Sequence, residues 1–494
     1  MSTNTEKDRA YGNWRKPRSA GMFGQSALVT YTGIGALVVA LLTLMFAGPY
    51  VGGIVAGLAI LTLAPLVVRL GGRTLYQSVA LRWQWSRQKR RHADLYRSGP
   101  LSATPNGTHR LPGLLAPTTL YEGQDAFGRT FGMIHMPKSA AYTVVLRINP
   151  QGAALVGQQQ VDAWVAGWGH WLGQLGETGD ITGCAVVIDT APDSGQRLQA
   201  EVGHLVREDA PDLAKEVLFQ TARDYPTGSA QINARIAITF KATTADSRRD
   251  PEEMAVEIGT RLPELYSSLR EAGLNAAPMD GWAVAEEVRV AYDPAVQQAI
   301  DAARSNGQGA QVMWTDAGPA AHREKWGSYT HDSGVSVTYA MEEAPRAEVQ
   351  EQVLRRLLEP HRDIDRKRIT LIYRPHSAGD AATIVDNDYK DAIVGATRKG
   401  VVAARADVEV EATERARKEE ARGAGVVRFS ILMTATVATE DDLRRTDALM
   451  RNLTATARLR VRRCYGYQAA AFAAGLGVGV LLPEHATIPG ALAN

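Results

Sequence analysis

From Ser19 to Val68 the chain carries no charged residue, and nothing else limits its folding as strongly. A membrane-spanning helix needs about 20 apolar residues. The stretch divides into Ala27–Ala47 and Tyr50–Leu70 around Gly48-Pro49, where proline starts a helix but does not continue one. Backbone groups in hydrocarbon must bond within a helix, so the sequence predicts a two-helix transmembrane hairpin. Gly33, Gly35, Gly52, Gly53 and Gly57 are expected to let the helices approach, and Pro65 to bend the second one. Arg9, Arg15, Lys16 and Arg18 precede the first span, and Arg69, Arg73, Arg82, Arg87, Lys89, Arg90 and Arg91 follow the second. Cations stay on the cytoplasmic side, so both termini are expected in the cytoplasm. A cleaved signal peptide does not fit a stretch this long and duplicated. Trp83 and Trp85 interleave with Arg82, Arg87, Lys89, Arg90 and Arg91, a composition suited to lipid headgroups.

The remaining residues exceed one core. Net charge of +2 excludes general attraction to nucleic acid. Two distant cysteines, Cys184 and Cys464, allow one disulfide but neither a disulfide-built fold nor a zinc site. Residues 1–26 read as a cytoplasmic tail, 27–70 as the hairpin, and 71–117 as a basic juxtamembrane segment and linker, rich in Pro, Gly, Ser and Thr from Ser98 on. Beyond it, β-branched runs predict strands at Tyr142–Ile148, Gly183–Thr190 and Gln231–Phe240, with helices near Val156–Leu175, Leu198–Arg223 and Pro251–Ala272. The pattern recurs with strands at Val335–Met341, Arg368–Arg374 and Val426–Ala438, helices near Ala347–Glu359, Ala382–Arg422 and Glu440–Thr456, and a short strand at Arg458–Arg463. Each block then opens an Ala-rich helix from an aromatic–glycine turn, at Met279-Asp280-Gly281-Trp282-Ala283 and at Tyr465-Gly466-Tyr467-Gln468-Ala469. The expected fold class is α+β: two cytoplasmic domains of repeated strand–helix units, 118–310 and 311–494, related to each other. The Ala382–Arg422 helix carries Glu411–Arg415 and Glu414–Lys418 at i,i+4, as a solvated face or a partner-docking rod.

No phosphate-binding Gly-x-x-x-x-Gly-Lys loop, His-Glu-x-x-His or Gly-x-Ser-x-Gly occurs. His361-Arg362-Asp363 lacks the downstream asparagine of a kinase catalytic loop and reads as a charged end before a strand. Asp386-Asn387-Asp388 has the residue types of a metal–nucleotide-sugar site but reads as a helix cap. Asp189 with Asp193-Ser194-Gly195 reads as a strand end and turn. Gly475-Leu-Gly477-Val-Gly479 follows a helix instead of opening one, so it reads as helix termination with close packing. His170, His204, His331 and His376 lack ligand spacing.

Two stretches carry a resemblance. Tyr465-Gly-Tyr-Gln468-Ala-Ala-Ala-Phe472-Ala-Ala-Gly-Leu-Gly477 is similar to the segment just before the motor of conjugative type IV secretion ATPases. Ser328–Met341, the helix after Tyr389 and Val426–Thr436 resemble their N-terminal domain, without the motor itself. The N-terminal hairpin resembles the small two-helix membrane component that partners such ATPases. The whole arrangement resembles hairpin-anchored proteins of actinobacterial conjugation or secretion loci, and in architecture the E component of type VII secretion. The resemblance implies a non-enzymatic scaffold, without cofactor or metal, that docks a separate motor ATPase, other membrane components and further copies of itself. The surfaces expected to dock are Arg415, Arg417 and Lys418, and Gln468 and Phe472. Direct nucleic-acid binding is not expected. The alternative is a membrane-bound glycosyltransferase-like enzyme holding a divalent metal on Asp386 and Asp388.

Overall fold

The computed structural model describes residues 14, 27–70, 73–99, 102, 109–152, 156–193, 195–207, 209–224, 230–244, 250–307, 309–345, 349–361, 363–397 and 403–486. The chain forms two compact units, one built on residues 14–94 and one on residues 95–481. The tail cations Arg9, Arg15, Lys16 and Arg18, and Arg362 and Ser194, lie outside the described residues.

In the first unit, α1 (Ala27–Ala47) and α2 (Pro49–Val67) follow one another through Gly48, whose φ of 88° is a left-handed conformation open to glycine. Thr30–Ala47 is long and apolar enough to cross a membrane; the apolar run Pro49–Pro65 is shorter. Of the five glycines expected between the helices, only Gly52 is one: a Cβ there would sit 2.6 Å from Leu44 Cα, whereas Gly33, Gly35, Gly53 and Gly57 have nothing within 4 Å. A short antiparallel pair, β1 (Arg69–Leu70) with β2 (Arg73–Thr74), leads into α3 (Leu75–Arg90). Thr74 and Gln77 cap this helix reciprocally, and Arg87, Lys89 and Arg90 occupy its last turn, where cations complement the helix dipole.

The second unit is built on one sheet with helices packed against it. In chain order it runs β3 (Leu95–Arg97), β4 (Thr119–Gln124), β5 (Thr130–Met136), β6 (Ala141–Pro150), α4 (Gln158–Gln174), β7 (Ile181–Pro192), α5 (Gln196–Leu205), α6 (Asp212–Asp224), β8 (Ala230–Lys241), α7 (Pro251–Ser268), β9 (Leu274–Pro278), α8 (Gly281–Tyr292) and α9 (Gln297–Ser305). It continues with β10 (Ala321–Glu324), β11 (Tyr329–His331), β12 (Gly334–Glu343), α10 (Arg355–Leu358), β13 (Arg366–Pro375), α11 (Ala378–Thr397), α12 (Ala403–Glu420), β14 (Val427–Val437), α13 (Leu443–Thr456), β15 (Arg460–Arg463) and α14 (Gln468–Gly475).

The described strands of this unit make one 13-stranded sheet, ordered β3-β10-β11-β12-β14-β13-β7-β8-β6-β5-β4, with β15 added on β12 and β9 on β6. Each half repeats one plan. In the first, β9 and β7 flank the pair β6–β8; in the second, β15 and β13 flank β12–β14. Strand–helix–strand, a helical insertion, then strand–helix–strand is the ferredoxin-like split βαβ order, run twice. The finer matches follow. β5 takes the start of β6 and β9 its end, as β11 and β15 divide β12. Thr143 and Thr239 share a hydrogen bond of 3.0 Å across β6–β8, and Thr338 and Thr434 one of 2.9 Å across β12–β14. The repeats meet edge to edge where β7 pairs antiparallel with β13, Asp189 opposite Arg368.

The expected boundary at residues 310 and 311 is therefore no break in the sheet. Two cores lie along it instead. Phe131, Tyr142, Val144, Leu146 and Phe240 pack with Trp171 of α4 and Ile258 and Leu262 of α7. Val337, Ile369, Ile431 and Met433 pack with Leu357 of α10 and Met450 of α13. Strand residues alternate faces, so the opposite face carries Thr143, Arg235, Thr239, Asp189, Arg366, Arg368, Thr370, Thr434, Ser336 and Thr338, all buried.

Several helix boundaries differ from expectation. Leu198–Arg223 is two helices, α5 and α6, interrupted before Pro211, where the preceding residue is driven from helical geometry. Ala382–Arg422 is also two, α11 and α12, which pack on each other. Residues 398–402, between them, lie outside the described residues. Ala347–Glu359 reduces to a 3₁₀ turn and the single turn of α10. Cys184 and Cys464 are both buried free thiols, so the disulfide the sequence allows is not formed.

Candidate functional site

The β7–β13 seam concentrates charge on the polar face. Asp189, Arg235, Arg366 and Arg368 are each at most 5% exposed. The sequence reads Asp189 as a strand end; β7 runs on to Pro192, and the carboxylate sits inside the ladder. Arg368 Nε and Nη2 donate to Asp189 Oδ2 at 3.2 and 3.0 Å, and Arg366 Nε lies 3.7 Å from Oδ1. Arg235 Nη1 is 3.5 Å from Glu287, and Arg304 binds Glu286 at 2.6 Å and Glu287 at 3.2 Å. Burial alone would raise the Asp189 carboxyl, but Arg368, Arg366 and Arg235 reverse that and hold it below the ordinary range.

Two of these arginines also lock the repeats together. Arg366, from the second repeat, donates Nη1 to the Val290 carbonyl in the last turn of α8, which belongs to the first. Arg235, from the first, donates Nη2 to the Leu476 carbonyl at the end of α14, which belongs to the second. Helix C-termini leave carbonyls without intrahelical partners, and a buried guanidinium satisfies both that need and the helix dipole. The segment beyond α14 then crosses the polar face: a Cβ on Gly477 would lie 2.4 Å from Val187 Cγ2, and one on Gly479 2.1 Å from Thr143 Oγ1. Both glycines have positive φ, 69° and 90°. The glycine run is a packing strap, as the sequence implies, and it lies on the sheet of the opposite repeat.

The docking role expected of Gln468 and Phe472 does not fit their placement. Both are wholly buried. Gln468 accepts from the Thr338 N–H at 2.8 Å and donates to the Thr338 carbonyl at 3.2 Å, pairing with the sheet as a strand would. Phe472 lies among the rings of Tyr292, Tyr329 and His331, with Arg368 above it. Arg415, Arg417 and Lys418 are on α12. Arg415 and Lys418 pair along the helix with Glu411 and Glu414 at 3.4 and 2.8 Å. Arg417 stacks over Tyr389 of α11 at 4.6 Å and so braces the helix pair. Asp386 and Asp388 fall inside α11, past its first turn, and it is Ser377 and Asp380 that bond at its start. Among the described residues no three His, Cys, Asp or Glu side chains group as metal ligands.

The helical insertions α5–α6 and α11–α12 occupy the same place in the two repeats, between the second and third strands of each plan. They carry uncovered apolar side chains: Leu205, Leu213, Val217 and Leu218 on the first arm, and Ile393, Val394 and Val408 on the second. Sequence reasoning missed this pair of equivalent arms, because it read each as one continuous helix. In the other unit, α3 carries Arg82, Trp83, Arg87, Lys89 and Arg90 on exposed positions with Trp85 half-buried, and Arg91 follows exposed at its C-cap. Arg87 lies over the Trp83 ring at 5.5 Å.

Residues 18–77 match a family described as a domain of unknown function (DUF8461). The match covers α1, α2, the β1–β2 pair and the first turn of α3, well short of half the chain. No curated protein matches the chain.

Proposed function

We propose that this protein is a non-enzymatic scaffold of a bacterial conjugation or secretion machine. In this reading α1 and α2 form a transmembrane hairpin in the inner membrane with both termini cytoplasmic. The tryptophans and cations of α3 and Arg91 rest on anionic headgroups, each basic residue contributing about 1 kcal/mol. The two helical arms dock a separate motor ATPase of the type IV secretion kind and other membrane components of the machine.

The observation that carries the reading is the pair of equivalent arms with uncovered apolar residues. Leu213 is 73% exposed and Val408 66% exposed, and apolar side chains left uncovered at equivalent places in both repeats suit an interaction site. The sheet of this unit is cross-bonded at the seam by Asp189, Arg366 and Arg368, which suits a part that transmits position by binding. The resemblance to conjugation components supplies the nature of the partner. The test is to introduce Leu213→Asp with Val217→Asp on one arm, and Val408→Asp with Arg415→Glu on the other. Each pair is expected to reduce transfer by the machine at least tenfold while the protein stays at normal levels in the membrane. Unchanged transfer with both arms altered would remove the arms as docking surfaces.

A further inference from the structure

A groove of about 460 Å³ opens at the end of the seam, where β7 and β14 finish and β12 and β13 begin. That volume is in the range of small-ligand sites. Its wall is shared between repeats: Asp193 follows β7, while Asp365, Arg366, Gly334 and Thr436 come from the second repeat. Arg366 donates Nη1 to the Val290 carbonyl and Nη2 to Gln297. Each Nη carries two hydrogens, so one on each remains.

The floor hydroxyl has a fixed sense. His331 Nδ1 lies 2.6 Å from the Tyr292 carbonyl oxygen. A carbonyl only accepts, so Nδ1 holds the hydrogen and Nε2 accepts. Nε2 is 2.7 Å from Ser336 Oγ, and Ser336 Oγ is 2.7 Å from Thr436 Oγ1. Ser336 therefore donates to His331, and Thr436 donates to Ser336. Burial pulls His331 down to about 4, so it stays neutral at pH 7 and the chain of donors does not invert. With its hydrogen committed to Ser336, Thr436 Oγ1 has only lone pairs left for a further partner. Gly334 permits this packing, since a Cβ there would lie 2.9 Å from Thr436 Cγ2 and 3.0 Å from His331 Cε1. The two carboxylates are held in place by the backbone: Asp193 Oδ1 accepts from the Gly195 N–H at 2.9 Å, and Asp365 Oδ2 from the Ala438 N–H at 3.1 Å.

The groove thus offers guanidinium donors at one point and two carboxylates with a hydroxyl acceptor at others. A simple anion meets the carboxylates, and a simple cation meets Arg366; a molecule bearing both charges has a partner for each end. We propose that this groove binds a small zwitterion of the amino-acid or dipeptide class, its carboxylate on Arg366 and its ammonium group held by Asp193, Asp365 and Thr436. Because the lining comes from both repeats, the bound molecule adds a further link across the seam.

Titration calorimetry of the full-length protein in detergent tests this, with glycylglycine and L-alanine as zwitterionic probes and acetate and ethylammonium as singly charged controls. Saturable binding of at least one zwitterion, on the order of tenfold or more tighter than either control, is expected from charge-assisted hydrogen bonds at both ends. Asp193→Asn and Asp365→Asn each keep an oxygen for the backbone N–H, so the unfolding midpoint should hold while affinity falls about tenfold. Absence of saturable binding, acetate or ethylammonium binding as tightly as the zwitterions, or affinity unmoved by both asparagine variants would overturn the proposal.

Discussion

Asp189→Ala is expected to destabilise the protein by about 3–5 kcal/mol, the usual result of removing one partner from a buried ion pair. The residue is the carboxylate bonded to Arg368 and nearest to Arg366 at the seam. Its loss would leave two guanidinium groups, each at most 5% exposed, beside each other without an intervening negative charge. The geometry already leaves little reserve, since Arg368 Nη1 and Asp189 Oδ1 are buried without a hydrogen bond. Asp189→Leu combined with Arg368→Met should recover much of the loss, because replacing both members by apolar groups avoids the uncompensated charge. The pH dependence has a definite sign. The native carboxyl lies below its unfolded value, so its stabilisation is present above the unfolded pKa of about 4 and disappears as pH falls through the native value. Urea midpoints of full-length protein in detergent, followed by tryptophan fluorescence, measure both effects. A loss below about 1 kcal/mol for Asp189→Ala would mean the arginines are balanced by other groups.

Phe472→Ala should cost a similar amount, about 3–5 kcal/mol, through lost burial and the cavity left behind. The ring is wholly buried, with its centroid 4.9 Å from His331 and 5.2 Å from both Tyr292 and Tyr329. It pins α14 over the second repeat while the strap beyond reaches the first, so its loss should loosen both. Phe472→Leu should cost less, about 1–1.5 kcal/mol, because most of the volume is kept. Thermal unfolding midpoints with no partner present distinguish this from a docking role. An unchanged midpoint together with lost partner binding would restore Phe472 as a contact residue and contradict the packing described.

How much was legible in the sequence depended on range. Runs such as Tyr142–Ile148 and Arg368–Arg374 announce strands because β-branched and apolar residues cluster between turn formers, and the structure extends each by a few residues. The aromatic–glycine turns at Gly281 and Gly466 do open α8 and α14. Short edge strands such as Thr119–Gln124 give no such signal, since only one side is paired and the composition is mixed. Asp189 looked like a strand end because a carboxylate in an apolar run is unfavourable alone; its partners Arg366 and Arg368 lie almost two hundred residues away. The docking expected of Gln468 and Phe472 rests on the resemblance of their helix to the segment before a secretion motor, and such a resemblance does not say which side of the helix faces inward. Here the facing sheet is lined with Thr338, Thr434 and Thr370, and the amide pairs with a strand backbone. The continuity of the two halves through β7 and β13 is likewise a long-range pairing that periodicity does not encode.

The scaffold reading is tested most directly by recovering the tagged protein from its native membranes in mild detergent after light crosslinking, and identifying by mass spectrometry what accompanies it in fixed ratio. The account predicts a secretion-type motor ATPase in stoichiometric amount, lost from the Leu213→Asp, Val217→Asp and Val408→Asp variants while the protein itself is still recovered. Recovery of the protein alone, with and without crosslinking, would contradict it.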